Sequence, residues 1–210
     1  MSKRVNTHRS PGLAERKHQF VRVEASAAVL ALVLERGYER VTVDDMVEVT
    51  GLSRRTFFRY FKSKDDVLFV AMDQFGAQIA ESVGARPADE PIWDALAQGI
   101  IGVTKSTNDD GSKRLSRVLF ETPALRARHL DKQERWQDLI AEQVARRLGI
   151  KANSGTARLL PALALAALDT ALKEWHRSNR PLPTLVKEAF EMARPALKEA
   201  RGTTPLHSKN

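Results

Sequence analysis

The sequence predicts an all-α protein of about nine helices, arranged as a small N-terminal part and a larger C-terminal one. Three observations predict it. No stretch of the 210 residues sustains the period-two alternation of a strand. Apolar residues instead recur at three- and four-residue spacing between Gly, Pro, Asn and Asp breakers. Residues 37–68, GYERVTVDDMVEVTGLSRRTFFRYFKSKDDVL, hold two short apolar-periodic segments separated by Gly51-Leu52-Ser53. The second segment carries Arg54, Arg55, Arg59, Lys62 and Lys64, which is the layout of a helix-turn-helix with a cationic second helix.

The elements follow in order. Residues 1–14 read as a disordered basic arm, because Ser10-Pro11-Gly12 is a breaker and Lys3, Arg4 and Arg9 are unbalanced by acid. A solvated leader and a minor-groove arm both fit it. From Glu15 to Arg36 the stripe Ala25, Ala28, Val29, Leu32 and Val33 predicts a helix, with Gly37 as its stop. Thr42 offers an N-cap and Asp45 completes a capping box, opening a second helix whose apolar face is Met46, Val47 and Val49. Gly51 suits a positive φ in the turn, and Ser53 caps the third helix. A fourth helix is expected from Ser63 to about Val83, with Val67, Leu68, Met72, Phe75 and Ile79 inward. After a loop from Gly84 to Pro91, helices are expected at about 91–106, 112–121, 123–148, 154–178 and 182–200. Pro161 should bend the early part of the fourth of these, and residues 202–210 read as a flexible tail.

Charge is distributed unevenly. Residues 1–64 contain 13 Lys/Arg against 7 Asp/Glu, so +6 of the net +8 lies in the first third. A basic end on a nearly neutral body points to a polyanion-binding module. The chain has no cysteine, which excludes disulfides and thiolate-held zinc and fits a cytoplasmic location. The five histidines lack metal-ligand spacing, so neither metal nor other cofactor is expected. Glu134 and Asp138 share a helical face, but Lys132, Arg135 and Arg146 around them describe ion-paired surface. No catalytic constellation is present, and an enzyme is not expected. The N-terminus lacks a signal-peptide core, and the apolar run Leu159–Leu168 is shorter than a bilayer requires, so no membrane partner is expected.

The helix-turn-helix implies double-stranded DNA as partner. Ser53, Arg54, Arg55 and Thr56 form the N-terminal turn that would face base edges, where an arginine reads guanine bidentately. Thr42, Tyr60, Lys62 and Lys64 are placed for phosphates, which fix register. Phe57 and Phe61 fall on one face and belong to the core. Phe58, beside Arg59, lies on another face as an exposed aromatic.

These residues resemble the N-terminal domain of TetR-family transcriptional regulators. The likeness covers about residues 15–70: the Arg36-Gly37-Tyr38 turn, the Thr-Val start of the second helix, GLSRRTFFRYF, and SKDDVL at the start of the fourth. It implies a DNA-binding domain at 15–64 and an effector-binding, dimerising domain at 65–201, with family DNA contacts on Thr42, Arg54, Arg55, Thr56, Phe58, Tyr60 and Lys64. At position 58 the family usually carries tyrosine; Phe58 has no hydroxyl for a phosphate, though its ring could touch a thymine methyl. The later segment LFETPALRARHLDKQERWQDLIAEQVARRLG resembles the mycofactocin-regulator subgroup, which implies an acyl-CoA-like effector.

The resemblance further implies a homodimer on a pseudo-palindromic operator, released by a small apolar or amphipathic effector. Phe69, Met72, Phe75, Trp93, Phe120 and Trp136 are the candidate cavity lining, and Arg117, Arg126 and Arg128 could meet an anionic group. Leu165, Leu168, Leu172, Val186 and Phe190 are the candidate dimer interface. A constitutive helix-turn-helix protein without effector, and a helical acyl- or lipid-binding carrier, are the alternatives.

Overall fold

The computed structural model describes residues 12–202, and nearly all of the expected tail and of the expected basic arm lie outside them. Among the described residues there are ten α-helices, two 3-10 turns and no strand. The chain forms two compact units that divide between Ala71 and Met72, seven residues after the boundary expected from the sequence.

The first unit holds α1 (Leu13–Arg36), a 3-10 turn (Tyr38–Arg40), α2 (Val43–Thr50), α3 (Arg54–Tyr60) and α4 (Lys64–Leu68). Helix α1 packs on α2 and α4, and α2 packs on α3. The core they enclose is Val29, Val33, Met46, Phe57, Phe61, Val67 and Leu68, all sealed from solvent. Helices of five to eight residues have little stability of their own, so this burial holds them in place.

The second unit holds α5 (Phe75–Gly84), α6 (Ile92–Ser106), α7 (Asp110–Glu121), α8 (Pro123–Leu148), α9 (Gly155–Arg177) and α10 (Leu182–Gly202). Helix α5 lies against α6 and α8, α9 lies between α8 and α10, and α10 returns onto α6. At Gly76 the Trp136 indole packs directly against the α5 backbone. A Cβ there would stand 2.0 Å from Trp136 Cδ1. Trp93 donates its Nε1–H to the Phe190 carbonyl at 3.2 Å, and the two rings stack at 4.6 Å. The Arg147 guanidinium, near the end of α8, donates to the carbonyls of Arg86, Pro87 and Glu90 and so fastens the loop between α5 and α6.

Three expectations change. The single helix expected from Ser63 to Val83 is interrupted: α4 stops at Leu68, a 3-10 turn covers Val70–Met72, and α5 begins at Phe75. Phe69 (ψ −3°) and Gln74 (ψ −10°) sit where α-helical bonding gives way to the tighter 3-10 pitch. The backbone stays near helical there, so the apolar periodicity runs through the break unaltered.

Secondly, four of the five expected interface residues are internal. Leu165, Leu168, Val186 and Phe190 are all at least 95% buried within the single chain. A side chain already sealed inside its own chain has no area to give to a partner. Leu172 is half-buried against the same core.

Thirdly, α9 as a whole, at 23 residues and mean hydropathy 1.2, is long and apolar enough to cross a membrane by length and composition. Its apolar side chains Ala164, Leu165, Leu168 and Ala171 are instead packed into the helical core.

Two predictions follow from this packing. Gly76→Ala should destabilise the second unit by about 1–3 kcal/mol through overpacking against Trp136. All three tryptophans lie in that unit, so their fluorescence during urea unfolding reports it directly. Leu168→Glu should lower expression and melting temperature and not simply release a folded monomer; circular dichroism beside light scattering separates the two outcomes.

Candidate nucleic-acid interface and effector cavity

The turn between α2 and α3 is made possible by Gly51, at φ +64°, a conformation that costs glycine little. Thr42 caps α2 reciprocally: its hydroxyl accepts from Asp45 N–H at 3.2 Å, and its own N–H and hydroxyl donate to the Asp45 carboxylate at 2.7 and 2.5 Å. These bonds, the hydroxyl's first, hold the Asp45 carboxyl below its ordinary value. Ser53 caps α3 by accepting from Thr56 N–H at 3.2 Å, and its hydroxyl donates to the Thr56 hydroxyl at 2.9 Å.

Phe57 and Phe61 point into the core, with ring centroids 5.1 Å apart. That leaves Arg54, Arg55, Phe58 and Arg59 exposed on the outer face of α3, with Thr56 and Tyr60 half-buried at its margins. Arg54 is ion-paired with Asp44 of α2 and lies over the Phe58 ring at 5.8 Å. Both partners are largely solvated, so the pair opens at little cost. Arg55 makes no hydrogen bond or ion pair among the described residues, and its five donors are available. Tyr60 is held between the His18 ring, 4.7 Å away, and the Arg59 guanidinium.

Lys64 differs from the other cations. Its ammonium donates to the Tyr38 carbonyl at 2.6 Å and sits 4.0 Å over the Tyr38 ring. The Tyr38 hydroxyl in turn donates to the Asp65 carboxylate. Lys64 therefore ties the turn after α1 to the start of α4, with two donors left for other partners. Lys62 is exposed, and its backbone N–H donates to Asp66. Asp44, His18 and Asp65 support this surface without having been singled out from the sequence, and Tyr38 stood there only as part of the turn after α1; of these, Asp44, in the first turn of α2, carried a local signal.

The second unit contains a cavity of about 470 Å³ between α7, α8 and α9. Phe120 contributes from α7, Arg126, His129 and Gln133 from α8, and Leu165 and Asp169 from α9. Of the six aromatic and apolar residues expected to line a cavity, Phe120 lines this one. Trp136 and Phe75 pack ring on ring at 5.3 Å, Trp93 is bonded to Phe190, and Met72 packs on the core. Phe69 is buried in the first unit. Of the three arginines, Arg126 faces the cavity, whereas Arg117 donates to the His176 carbonyl at 2.5 Å.

His129 is 2% exposed, and among the described residues neither ring nitrogen has a hydrogen-bond partner. Phe120 lies 4.8 Å from its ring and Trp136 5.7 Å, the latter edge-on. Burial pushes its pKa down to about 4, with Arg126 adding to the depression and Asp169 opposing it. The imidazole is neutral at physiological pH. A signal for it existed in the sequence, because Leu125, His129, Trp136 and Ile140 fall on one helical stripe. Among the described residues no cluster of metal-ligating side chains occurs.

A helix-turn-helix with a cationic second helix, on a chain whose remainder is a helical body, defines a DNA-binding transcriptional regulator. The family model described as bacterial regulatory proteins of the tetR family matches residues 26–71, and that of the MftR C-terminal domain matches residues 90–198. The chain belongs to the TetR family, with a C-terminal domain of the MftR type. It is 29% identical over 203 residues to the HTH-type transcriptional regulator TcmR of Streptomyces glaucescens, covering 92% of this chain and 89% of that protein. It is 27% identical over 158 residues to the candidate mycofactocin biosynthesis regulator MftR of Mycobacterium tuberculosis, covering 73% and 79%. A TetR-family regulator from Syntrophomonas wolfei shares the fold at TM-score 0.61 and 17% identity, covering 92% of this chain and 99% of that one.

Lys64→Ala should weaken DNA binding on all sequences alike, lower the salt slope by about one, and also destabilise the first unit by releasing the Tyr38 turn. Salt-titrated binding together with amide exchange of α4 measures both effects. The pH dependence of the second unit follows from His129. Its folded-state value of about 4 lies below the ordinary 6.5, so the unfolded chain takes up the proton first as pH falls. Its contribution is therefore complete above pH 6.5 and drains away towards pH 4, by roughly 3 kcal/mol in all. His176, also lowered by burial, acts in the same direction. The expected outcome is a flatter stability–pH curve for His129→Phe than for wild type over that window.

Proposed function

We propose that the chain is a cytoplasmic, ligand-responsive repressor that binds a pseudo-palindromic operator as a homodimer and is released by a small-molecule effector. The observation that carries the reading is the exposed cationic face of α3 in a chain whose other unit holds a 470 Å³ cavity. In a homodimer of this kind the two copies of α3 would enter successive major grooves about 34–36 Å apart. Arg54, Arg55 and Thr56 read bases; Thr42, Ser53, Arg59, Tyr60, Lys62 and Lys64 fix register on phosphates. Arg55 leads this set, since Arg54 must first leave Asp44, and Thr42 has both of its donors engaged by Asp45. Phe58, 45% exposed, supplies an apolar edge for a thymine methyl.

With Leu165, Leu168, Val186 and Phe190 inside the chain, a dimer contact on α9 and α10 falls to their outward residues. Leu159, 57% exposed, and Met192, 70% exposed, are the large apolar side chains available there. The cavity between α7, α8 and α9 is the effector site. Its volume suits a small amphipathic molecule, and the likeness to an MftR-type domain keeps an acyl-CoA-like effector among the chemistries to screen. The effector shifts operator affinity only by its differential affinity for the two states of the dimer. The same cavity favours this reading over a constitutive DNA-binding protein.

The decisive experiment selects bound sites from random duplex DNA and then screens metabolites for release of the selected operator. Arg55→Ala should lose roughly 1–3 kcal/mol of discrimination at one base pair in each half-site while keeping its fold and dimer. Unchanged operator preference in both Arg54→Ala and Arg55→Ala removes α3 from base reading.

A further inference from the structure

We propose that His129 is the hydrogen-bonding anchor of the α7–α8–α9 cavity, and that it selects an uncharged amphipathic molecule with a hydroxyl head on an apolar body. The proposal rests on the reading of that cavity as a ligand site.

The argument starts from an unmet requirement. A neutral imidazole carries one N–H donor and one lone-pair acceptor. In His129 both nitrogens are shut away from solvent, and neither has a protein partner among the described residues. Buried polar groups in that condition raise the free energy of the ligand-free protein, and their partners are normally present. The ring forms part of the cavity wall, and histidine χ2 is a broad torsion. Neither nitrogen faces the cavity with the ring as it stands, so a rotation about χ2 is the step that brings one to a molecule inside.

The lining then restricts what that molecule is. Phe120, Leu130, Leu165 and two alanines, Ala162 and Ala166, give the cavity an apolar body. The ionised groups stand at its rim or are already engaged. Arg126 and Glu134 are exposed, and Asp169 is paired with Lys173 at 2.6 Å. A carboxylate head would need an imidazolium, which burial among Phe120, Trp136 and Leu125 opposes. An ammonium head would have to displace Lys173 from Asp169 or draw Glu134 away from solvent at the rim. A hydroxyl satisfies either imidazole tautomer, donating to the bare nitrogen or accepting from the N–H.

The test uses full-length protein and three probes with one apolar body: 1-decanol, decanoate and decylammonium. Trp136, edge-on to His129 at 5.7 Å, provides the fluorescence signal, and calorimetry confirms the stoichiometry. We expect 1-decanol to bind on the order of tenfold more tightly than either charged probe. His129→Phe, which removes both nitrogens at similar volume, should abolish that preference and raise the melting temperature of the ligand-free protein. His129→Gln, which restores a donor and an acceptor, should retain it. Charged probes binding as tightly as 1-decanol, no binding of any probe at millimolar concentration, or undiminished selectivity in His129→Phe each overturns the proposal. Operator release is measured in parallel. Selective binding of 1-decanol without release refutes the effector reading and leaves the ligand chemistry standing.

Discussion

The second unit is organised around the missing side chain at Gly76. Because α5 presents bare backbone there, the Trp136 indole lies directly on it, and α8 approaches α5 more closely than any larger residue would permit. From that seat an aromatic series runs along and beyond α8: Phe75 on one side of Trp136, then His129, then Phe120 at the cavity. The position of the His129 ring is thus set by how deeply Trp136 is seated. Lys132, between them in sequence, is ion-paired to Asp73 just before α5, which fastens the same face of α8 one turn from Trp136. Packing at Gly76 and polarity at the cavity are two ends of one arrangement.

Local patterns in the sequence were legible because their causes are local. The Thr42–Asp45 box, the Ser53 cap and the Gly51 turn each depend on residues within three positions, and the spacing alone identifies them. The boundaries of α6 through α10 were readable because proline, glycine and asparagine mark them chemically. What depends on distant chain was not readable. Lys64 bonds to Tyr38, 26 positions earlier, and nothing in the segment around it signals that. Apolar periodicity shows that Leu168 and Phe190 are buried, but not whether a second chain buries them. The cavity illustrates a further limit. Large aromatics such as Trp93 and Trp136 fill space, so they mark packed core, whereas the cavity wall includes Ala162, Ala166 and Gln133, whose modest size leaves the space open.

On the first unit, most groups suited to nucleic acid already hold another group. Asp44 holds Arg54, Asp45 holds Thr42, and the Tyr38 carbonyl holds Lys64. Each contact keeps a long or polar side chain in a restricted position before any phosphate arrives, which lowers the ordering entropy of binding. Each also sets a competition, since the partner already in place must be outbid by a phosphate or a base edge. Arg55 stands outside this scheme, with no competing partner among the described residues.

The shortness of the helices in that unit has a thermodynamic result. An α3 of seven residues has no stable existence apart from the enclosure of Phe57 and Phe61 by α1, α2 and α4. The exposed face of α3 and the folded state of the unit are therefore one equilibrium. A polyanion that prefers the folded α3 face raises the stability of the whole unit, with the logarithm of its concentration once above its dissociation constant. DNA is in this sense a folding ligand for the module that reads it.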